Sequence, residues 1–176
     1  DIIMKLKLAR IVFFTLIIAF AVIRSVHAQS DAPLVIVMKV DGQIIPAMQD
    51  YIARGLKVAD QRGAEAVIIE MNTPGGAINS MQEIIQDIRA SNVPVVVYIT
   101  PNGAMAGSAG ALITMSAHVS AMAPEAVIGA ASPIDSSGQN IESTLQEKIK
   151  EIMKATIRPL VERRGSKALQ LAQDMV

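Results

Sequence analysis

Residues 66–76 read AVIIEMNTPGG, an apolar run that passes directly into a turn-forming sequence. The first six of these residues predict a short buried strand, and the closing Pro-Gly-Gly predicts a tight turn where that strand ends. Similar strand patterns occupy residues 34–40 and 94–100, with helical patterns at 46–62 and 77–90 between them. Strands that alternate with helices of this length predict an α/β fold with a parallel sheet and helical crossovers.

The chain beyond residue 100 is less regular. Residues 103–110 read GAMAGSAG, which contains only glycine, alanine, methionine and one serine. The segments that follow are two short strand patterns at 118–123 and 126–130, a polar loop at 132–140, a charged helix at about 142–164 and a last helix after Gly165. Pro159 lies inside the charged helix, where we expect a bend.

Residues 1–28 are typical of a secretory signal. Basic residues precede thirteen uncharged residues, 11–23, and the small-residue end Val26-His27-Ala28 predicts cleavage after Ala28. The apolar run is shorter than the about 20 residues that a membrane span needs, although an uncleaved anchor stays an alternative. We therefore expect one exported domain at 29–176. Because the chain stops inside a predicted helix, we also expect it to be a piece of a longer protein.

The composition excludes several classes of function. Sixteen basic and sixteen acidic residues leave no net charge to attract nucleic acid, and an aromatic content of 3% leaves little for bases to stack on. The chain has no cysteine, which excludes disulfides, thiol nucleophiles and thiolate metal sites. Histidines and carboxylates do not cluster at the spacings of metal ligands. We expect no nucleic-acid partner and no cofactor.

Ser108 is the first candidate for chemistry. Its neighbours are all glycine or alanine, so a substrate backbone can approach closely. A helix that follows directly would aim free N–H groups and a positive dipole end at the site, which favours a developing oxyanion. The same small residues also suit plain close packing of a helix, so composition leaves both interpretations open.

The base that would activate a serine is not decided by composition. His118 is the one histidine in residues 29–176, and its strand-like surroundings favour a structural role over a Ser-His-Asp triad. A lysine can act as base where burial or neighbouring charge lowers its pKa. The lysines beyond the signal are Lys39, Lys57, Lys148, Lys150, Lys154 and Lys167.

Four motifs together resemble a known family. They are Asn72-Thr73-Pro74-Gly75-Gly76, the Gly103–Gly110 stretch around Ser108, Met122-Ala123-Pro124 and Ile128-Gly129-Ala130. Their order and spacing are similar to those of the NfeD-type membrane-bound serine proteases, the stomatin-operon partner proteins of the ClpP/crotonase superfamily. The resemblance runs from about Leu34 to the end of the chain. It implies a ClpP/crotonase-like α/β fold and no cofactor.

The resemblance also implies the site. The serine of its Ser–Lys dyad falls on Ser108, and the lysine falls on Lys148, with Lys150 as a rival. The oxyanion donors would be backbone N–H groups of Gly76, with Gly75 beside it, and of Ala109. Where the family usually has an acidic residue before Thr-Pro-Gly-Gly, this chain has Asn72.

The helical pattern around the lysines adds one expectation. The apolar side of the helix would be formed by Leu145, Ile149, Ile152 and Met153, with Lys148 at its margin. Lys150 lies four residues from Lys154, and two like charges at that spacing belong in solvent. The sequence therefore predicts that Lys148 faces the edge of the core and that Lys150 faces water.

The implied function is cleavage of hydrophobic segments of membrane-associated, stomatin-like proteins by a homo-oligomeric, extracytoplasmic protease. Three alternatives remain at this stage. A signal-peptide-peptidase-type protease would share the chemistry, although that class typically has Ser-Gly-Gly where this chain has Ser108-Ala109-Gly110. A crotonase-type acyl-CoA enzyme would share the fold but not the export signal. A non-catalytic scaffold of a membrane complex would need neither Ser108 nor Lys148.

Overall fold

The computed structural model describes residues 4, 7, 10, 12–15, 32–129 and 143–175. It divides the chain into two units, Asp1–Ala32 and Pro33–Val176. The described residues between 4 and 15 are helical. Among all the residues described, no helix combines the length and the apolar character that crossing a membrane requires. The predicted cleavage position after Ala28 lies outside the described residues.

The second unit is built on a four-stranded parallel sheet. Its strands lie in the order β1-β2-β3-β5, with β1 at Val35–Asp41, β2 at Ala66–Asn72, β3 at Val95–Ile99 and β5 at Val119–Met122. Two further short strands, β4 at Met105–Gly107 and β6 at Val127–Gly129, pair in parallel as a second sheet. The predicted α/β fold with parallel strands and helical crossovers is confirmed.

The described residues of the second unit form five α-helices, and all but the third lie where the sequence patterns predicted a helix. They are α1 at Pro46–Gln61, α2 at Ile78–Ala90, α3 at Ala109–Ser116, α4 at Ser143–Val161 and α5 at Ser166–Asp174, with a 3₁₀ turn at Glu162–Arg164 between the last two. Pro46 suits the first position of α1 because its missing N–H would have no partner inside the helix. Pro159 lies inside α4, as the sequence predicted.

The core lies between one face of the parallel sheet and the helices. Alternate residues of β2, namely Val67, Ile69 and Met71, are fully buried, and their neighbours along the strand are half-buried. Helix α3 is buried along its whole length, which explains why its sequence is apolar all round rather than amphipathic. The small residues predicted to favour close packing therefore do pack closely.

All four main strands end at one edge of the sheet. Asp41, the last residue of β1, lies opposite Asn72, the last residue of β2. The turn that follows β2 thus projects from the carboxyl edge of a parallel sheet, which is where open α/β folds place their ligands. Strand β4 passes this edge, and its pairing was not predicted from the sequence.

Strand β1 forms one outer edge of the sheet. Its outward backbone N–H at Lys39 donates to the Tyr51 hydroxyl of α1, at 3.2 Å. Two valines of the strand, Val35 and Val37, are exposed. An edge strand leaves backbone groups unpaired, and a side chain from a neighbouring helix satisfies one of them here.

Candidate functional site

The turn after β2 is held by its own side chain and by a neighbouring segment. The Gly75 N–H donates to Thr73 Oγ1 at 3.0 Å, and the Gly75 carbonyl accepts from the Ile44 N–H at 2.8 Å. Ile44 in turn accepts from the Ala77 N–H at 2.8 Å. Gly75 has a φ of +114°, a conformation that a residue with a side chain rarely adopts. The second glycine, Gly76, lies against the backbone of Ile44.

Strand β4 is fixed alongside this turn by two backbone bonds. The Thr73 N–H donates to the Met105 carbonyl at 2.7 Å, and the Gly107 N–H donates to the Thr73 carbonyl at 2.9 Å. The approach is so close that a Cβ at Gly107 would lie 2.8 Å from the Pro74 carbonyl oxygen. The structure thus brings together the two glycine-rich motifs, which are thirty residues apart in the sequence.

Ser108 stands at the junction between β4 and α3. Its backbone has φ 49° and ψ −116°, a conformation that costs a non-glycine residue about 1–3 kcal/mol. Its N–H donates to the carbonyl of Gly129, the last residue of β6, at 2.9 Å. A strained turn from strand to helix is the arrangement that displays the nucleophile in many hydrolases. The Ser108 side chain is partly exposed, although both neighbours are buried.

Ser108 and Gly75 are in direct contact. A Cβ built on Gly75 would lie 2.6 Å from Ser108 Cβ and 3.2 Å from Ser108 Oγ. Any side chain at position 75 would therefore displace the serine. The contact gives a physical reason for glycine at this position beyond its positive φ.

The predicted oxyanion donors differ in their hydrogen bonding. The Gly75 N–H already donates to Thr73 Oγ1. Within the described ranges, neither the Gly76 N–H nor the Ala109 N–H has an acceptor. Ala109 is the first residue of α3, where backbone N–H groups lack a partner inside the helix. Among the described residues, the backbone N–H groups of Gly76 and Ala109 are thus available to a ligand. Gly75 instead leaves the space that the Ser108 side chain occupies.

No hydrogen bond joins Lys148 to Ser108 in this structure. The Lys148 side chain is exposed and forms no hydrogen bond or ion pair with any residue that the structure describes, whereas Lys150 is half-buried. Two residues of the predicted apolar side are also exposed, Leu145 by 49% and Ile152 by 56%. The prediction that Lys148 faces the edge of the core and Lys150 faces water is therefore wrong for this structure.

The physical reason lies in where α4 meets the core. Its buried residues, Met153, Ile157, Leu160 and Val161, all belong to its second half. The first half, from Ser143 to Ile152, has no buried residue. A helical pattern identifies an apolar stripe but not how far along the helix the core extends. Residues 130–142, which lead into α4, are outside the described residues.

His118 lies at the opposite end of the sheet from Ser108. Its ring Nδ1 accepts the Val95 N–H at 3.1 Å, and the backbone N–H of His118 donates to the Val95 carbonyl at 3.0 Å. Val95 begins β3, so this pairing is at the amino-terminal edge of the strands. The predicted structural role of His118 is confirmed, and the structure gives no support to a Ser-His-Asp triad.

Neither the turn-closing role of Thr73 nor the two hydrogen bonds of Asn72 was predicted from the sequence. Thr73 is fully buried, and its hydroxyl closes the turn by accepting from a residue two positions on, a pattern that Ser and Thr favour. The signal was present, since a threonine two positions before a glycine permits such a turn.

Across the described ranges, no group of three His, Cys, Asp or Glu residues suits a metal ion.

Comparison with known proteins identifies relatives over most of the chain. A family model described as "NfeD1b, N-terminal domain" matches residues 34–175. The membrane-bound protease PH1510 of Pyrococcus horikoshii is 44% identical over 107 residues, which are 61% of this chain and 24% of that protein. The membrane protein NfeD1b of Bacillus subtilis is 30% identical over 120 residues, 68% of this chain and 27% of that protein. The chain thus aligns with about a quarter of each relative.

Solved structures show the same fold. The 1510-N membrane-bound stomatin-specific protease, in a serine-to-alanine variant, superposes with a TM-score of 0.73 at 37% identity, over 82% of this chain and 70% of that one. A lysine-to-alanine variant in complex with a substrate peptide gives 0.74 at 35% identity, over 83% and 67% of the two chains. ClpP1 of Listeria monocytogenes, at 17% identity and a TM-score of 0.59 over 79% and 77%, shares the fold.

Proposed function

Because the chain belongs to the NfeD1b N-terminal domain family, we propose that it is the protease domain of a membrane-associated serine protease, with Ser108 as the nucleophile. The observation that carries this proposal is the strained turn at Ser108, whose φ is 49°. The turn presents the side chain at the carboxyl edge of the sheet, against Gly75 and directly before a buried helix. Strain of this kind is costly, and it is found where function requires it.

The arrangement suits acyl transfer. A base takes the proton from Ser108 Oγ, and the oxygen attacks the carbonyl carbon of the peptide bond to form a tetrahedral intermediate. The negative charge on the carbonyl oxygen then meets the free N–H groups of Gly76 and Ala109. The base returns its proton to the leaving amine, and water releases the acyl group by the reverse sequence. No cofactor takes part.

We assign the role of base to Lys148. A serine-to-alanine variant and a lysine-to-alanine variant of the stomatin-specific relative have both been solved, the second with a substrate peptide, which supports a serine and a lysine as partners. Along the sequence, the serine and lysine of that relative are one residue further apart than Ser108 and Lys148. They are one residue closer together than Ser108 and Lys150. Spacing alone therefore leaves Lys150 as the rival, and the family register favours Lys148.

The proposed substrates are hydrophobic segments of membrane-associated proteins. The named relative is specific for stomatin, and we extend a stomatin-like polypeptide partner to this chain as part of the proposal. Residues 1–28 would export the domain and leave it at the outer side of the membrane, as a homo-oligomer. Sequencing of the mature amino terminus tests the export step: Gln29 supports cleavage, and Met4 or Lys5 supports an anchor.

Covalent labelling tests the nucleophile. The full-length protein is incubated with a fluorophosphonate reagent, and the labelled residue is located by mass spectrometry. We expect the label on Ser108, and we expect Ser108→Ala to abolish both labelling and peptide cleavage with unchanged circular dichroism. His118→Gln serves as the matched control, because His118 lies at the far edge of the sheet, and it should keep most of the activity.

The outcome also separates this function from its alternatives. A wild-type protein that takes no label and cleaves no hydrophobic peptide would favour a scaffold of a membrane complex. Cleavage of signal peptides in preference to stomatin-like segments would favour a signal-peptide-peptidase-type enzyme with the same serine. Peptidase activity above a few per cent in Ser108→Ala contradicts the assignment of the nucleophile.

A further inference from the structure

Asn72 links three strands next to the turn that carries Ser108. We propose that Asn72 is a positioning residue, which fixes β4 and through it Ser108 by holding Asp41 and Met105 at the same time. The effect on catalysis rests on the proposed role of Ser108, whereas the effect on β4 does not. The serine lies three residues beyond Met105 and directly follows β4, a strand of only three residues.

The two hydrogen bonds of Asn72 have opposite polarity. Its Oδ1 accepts the Met105 N–H at 3.1 Å, and its Nδ2 donates to Asp41 Oδ1 at 3.2 Å. A backbone N–H can only donate and a carboxylate can only accept, so the neighbours themselves determine which way the amide is turned. A carboxamide is the planar side chain of this size that satisfies both at once.

Met105 is held on both of its backbone groups. Its N–H is bound by the Asn72 side chain, and its carbonyl accepts from the Thr73 N–H at 2.7 Å. Because β4 is short, these bonds and its pairing with β6 determine its register. Loss of the Asn72 bond frees the start of β4, and a displacement there reaches Ser108 within one strand. Misplacement of a reacting group by about 1 Å can cost a hundredfold in rate.

The neighbour at Asp41 explains why an amide, and not an acid, suits this chain. A carboxylate at position 72 would still accept the Met105 N–H, but its second oxygen would face the Asp41 carboxylate at hydrogen-bonding distance. Lys39 does little to offset the repulsion, because its Nζ is 3.8 Å from Asp41 Oδ2 and its side chain is 73% exposed. The family that this chain resembles usually has an acidic residue at this position. This chain has an amide there instead, and the amide contacts Asp41.

The experiment compares Asn72→Asp with the double variant Asp41→Asn, Asn72→Asp in the full-length protein. The single change places two carboxylates together, and the double change exchanges the amide and the carboxylate while keeping both bonds. We expect the rate of Ser108 labelling at pH 8 to fall about tenfold in the single variant and to return to within about threefold of wild type in the double variant. Near pH 5, each measured against wild type at the same pH, the single variant should recover in part, because close carboxylates share a proton.

Asn92→Asp is the matched control. The Asn92 Nδ2 donates to Asp60 Oδ1 at 3.2 Å, the same kind of pair at the same distance, but between α1 and the segment after α2. We expect this variant to label at the wild-type rate at both pH values. A general effect of adding a carboxylate beside an aspartate would instead slow both variants alike, and it would overturn the proposal.

Hydrogen exchange at the Met105 amide supplies a readout that does not depend on activity. We expect this amide to exchange at least about tenfold faster in Asn72→Asp and to regain protection in the double variant. If wild-type Ser108 takes no label while the exchange pattern holds, the proposed protease function fails and the positioning role stands. If the single variant labels and exchanges as the wild type does, or if the double variant restores neither, the positioning role is wrong.

Discussion

The turn around Ser108 and the first half of α4 are two regions of opposite construction. Around the serine, backbone bonds join Thr73 to Met105 and Gly107, and Gly75 and Gly107 leave no room for a further atom. In the first half of α4, no residue from Ser143 to Ile152 is buried, and Lys148 is exposed. The serine turn is part of the core, whereas the first half of α4 adds no buried residue to it.

The difference teaches how the two partners of a dyad depend on the fold. The core determines the position of Ser108, because moving it would break its bond to Gly129 of β6 and disturb the two bonds between Thr73 and β4. Nothing in the described part of the chain determines the position of Lys148 with the same strength. Under the proposed function, the serine is preorganised and the lysine is the partner that needs further contacts to reach it.

Replacing the two lysines gives the largest expected contrast. Under the proposed function, Lys148→Ala should lose peptide cleavage by about a hundredfold or more, since it removes the general base, and Lys150→Ala should stay within about tenfold of wild type. The melting temperature of Lys148→Ala should not change, because the side chain is exposed. Exchanged phenotypes for these two variants would leave a Ser–Lys mechanism with Lys150 as its base.

An alanine at Gly75 tests how rigid the serine region is. Both Gly75 and Gly42 have positive φ, +114° and +112°, but a Cβ at Gly42 meets nothing within 4 Å, whereas one at Gly75 lies 2.6 Å from Ser108 Cβ. Gly75→Ala should therefore cost about 1–3 kcal/mol more than Gly42→Ala in urea unfolding, as overpacking does. It should also abolish labelling of Ser108, while Gly42→Ala keeps it. Equal losses in the two variants would show that the contact with Ser108 does not constrain the site.

Two isoleucines of α4 test where that helix joins the core. Ile157 is fully buried, so Ile157→Ala should lower the free energy of unfolding by about 2–5 kcal/mol. Ile152 is exposed, so Ile152→Ala should stay within about 0.5 kcal/mol of wild type. Urea unfolding of both variants measures the difference. A large loss at Ile152 would mean that the first half of the helix is packed in solution, which would contradict the contrast drawn above.

The smallest effect is expected at Asp87, on α2 and away from both regions. Burial, with a contribution from the Glu83 charge, raises the pKa of Asp87 above its ordinary value. The charged form is therefore less favourable in the folded protein, so stability is gained as the pH falls through the raised pKa. Asp87→Asn should slightly raise the melting temperature at pH 7, and this gain should vanish below about pH 4. Cleavage should not change, and a parallel change would show that the assay follows stability rather than the site.

The sequence was sufficient for the framework of the fold. Alternating apolar patterns predicted β2, α2 and β3 to within a residue or two, because each is one stretch with one buried face. Strand β4 was missed, since Met105-Ala106-Gly107 has neither length nor β-branched residues and is extended because it pairs with Thr73 and with β6. A strand made by its partners leaves little trace in its own residues.

The candidate site was predictable from the sequence only in part. The family resemblance implied that the Pro-Gly-Gly turn and Ser108 belong to one site, and the structure places Gly75 against Ser108. The environment of Lys148 was mispredicted because the apolar stripe of α4 continues past the point where the core ends. The amide at Asn72 was noted only as a departure, since its meaning depends on Asp41, thirty-one residues away.

The hydroxyl of Tyr51 occupies a backbone N–H of the β1 edge that another strand would need for pairing. An incoming strand that sought the Lys39 N–H would have to break an existing bond and displace an aromatic ring before it could pair. The exposed valines beside it would otherwise offer an apolar, extended template for fibrous growth. One side chain on a helix thus protects part of this sheet edge against pairing.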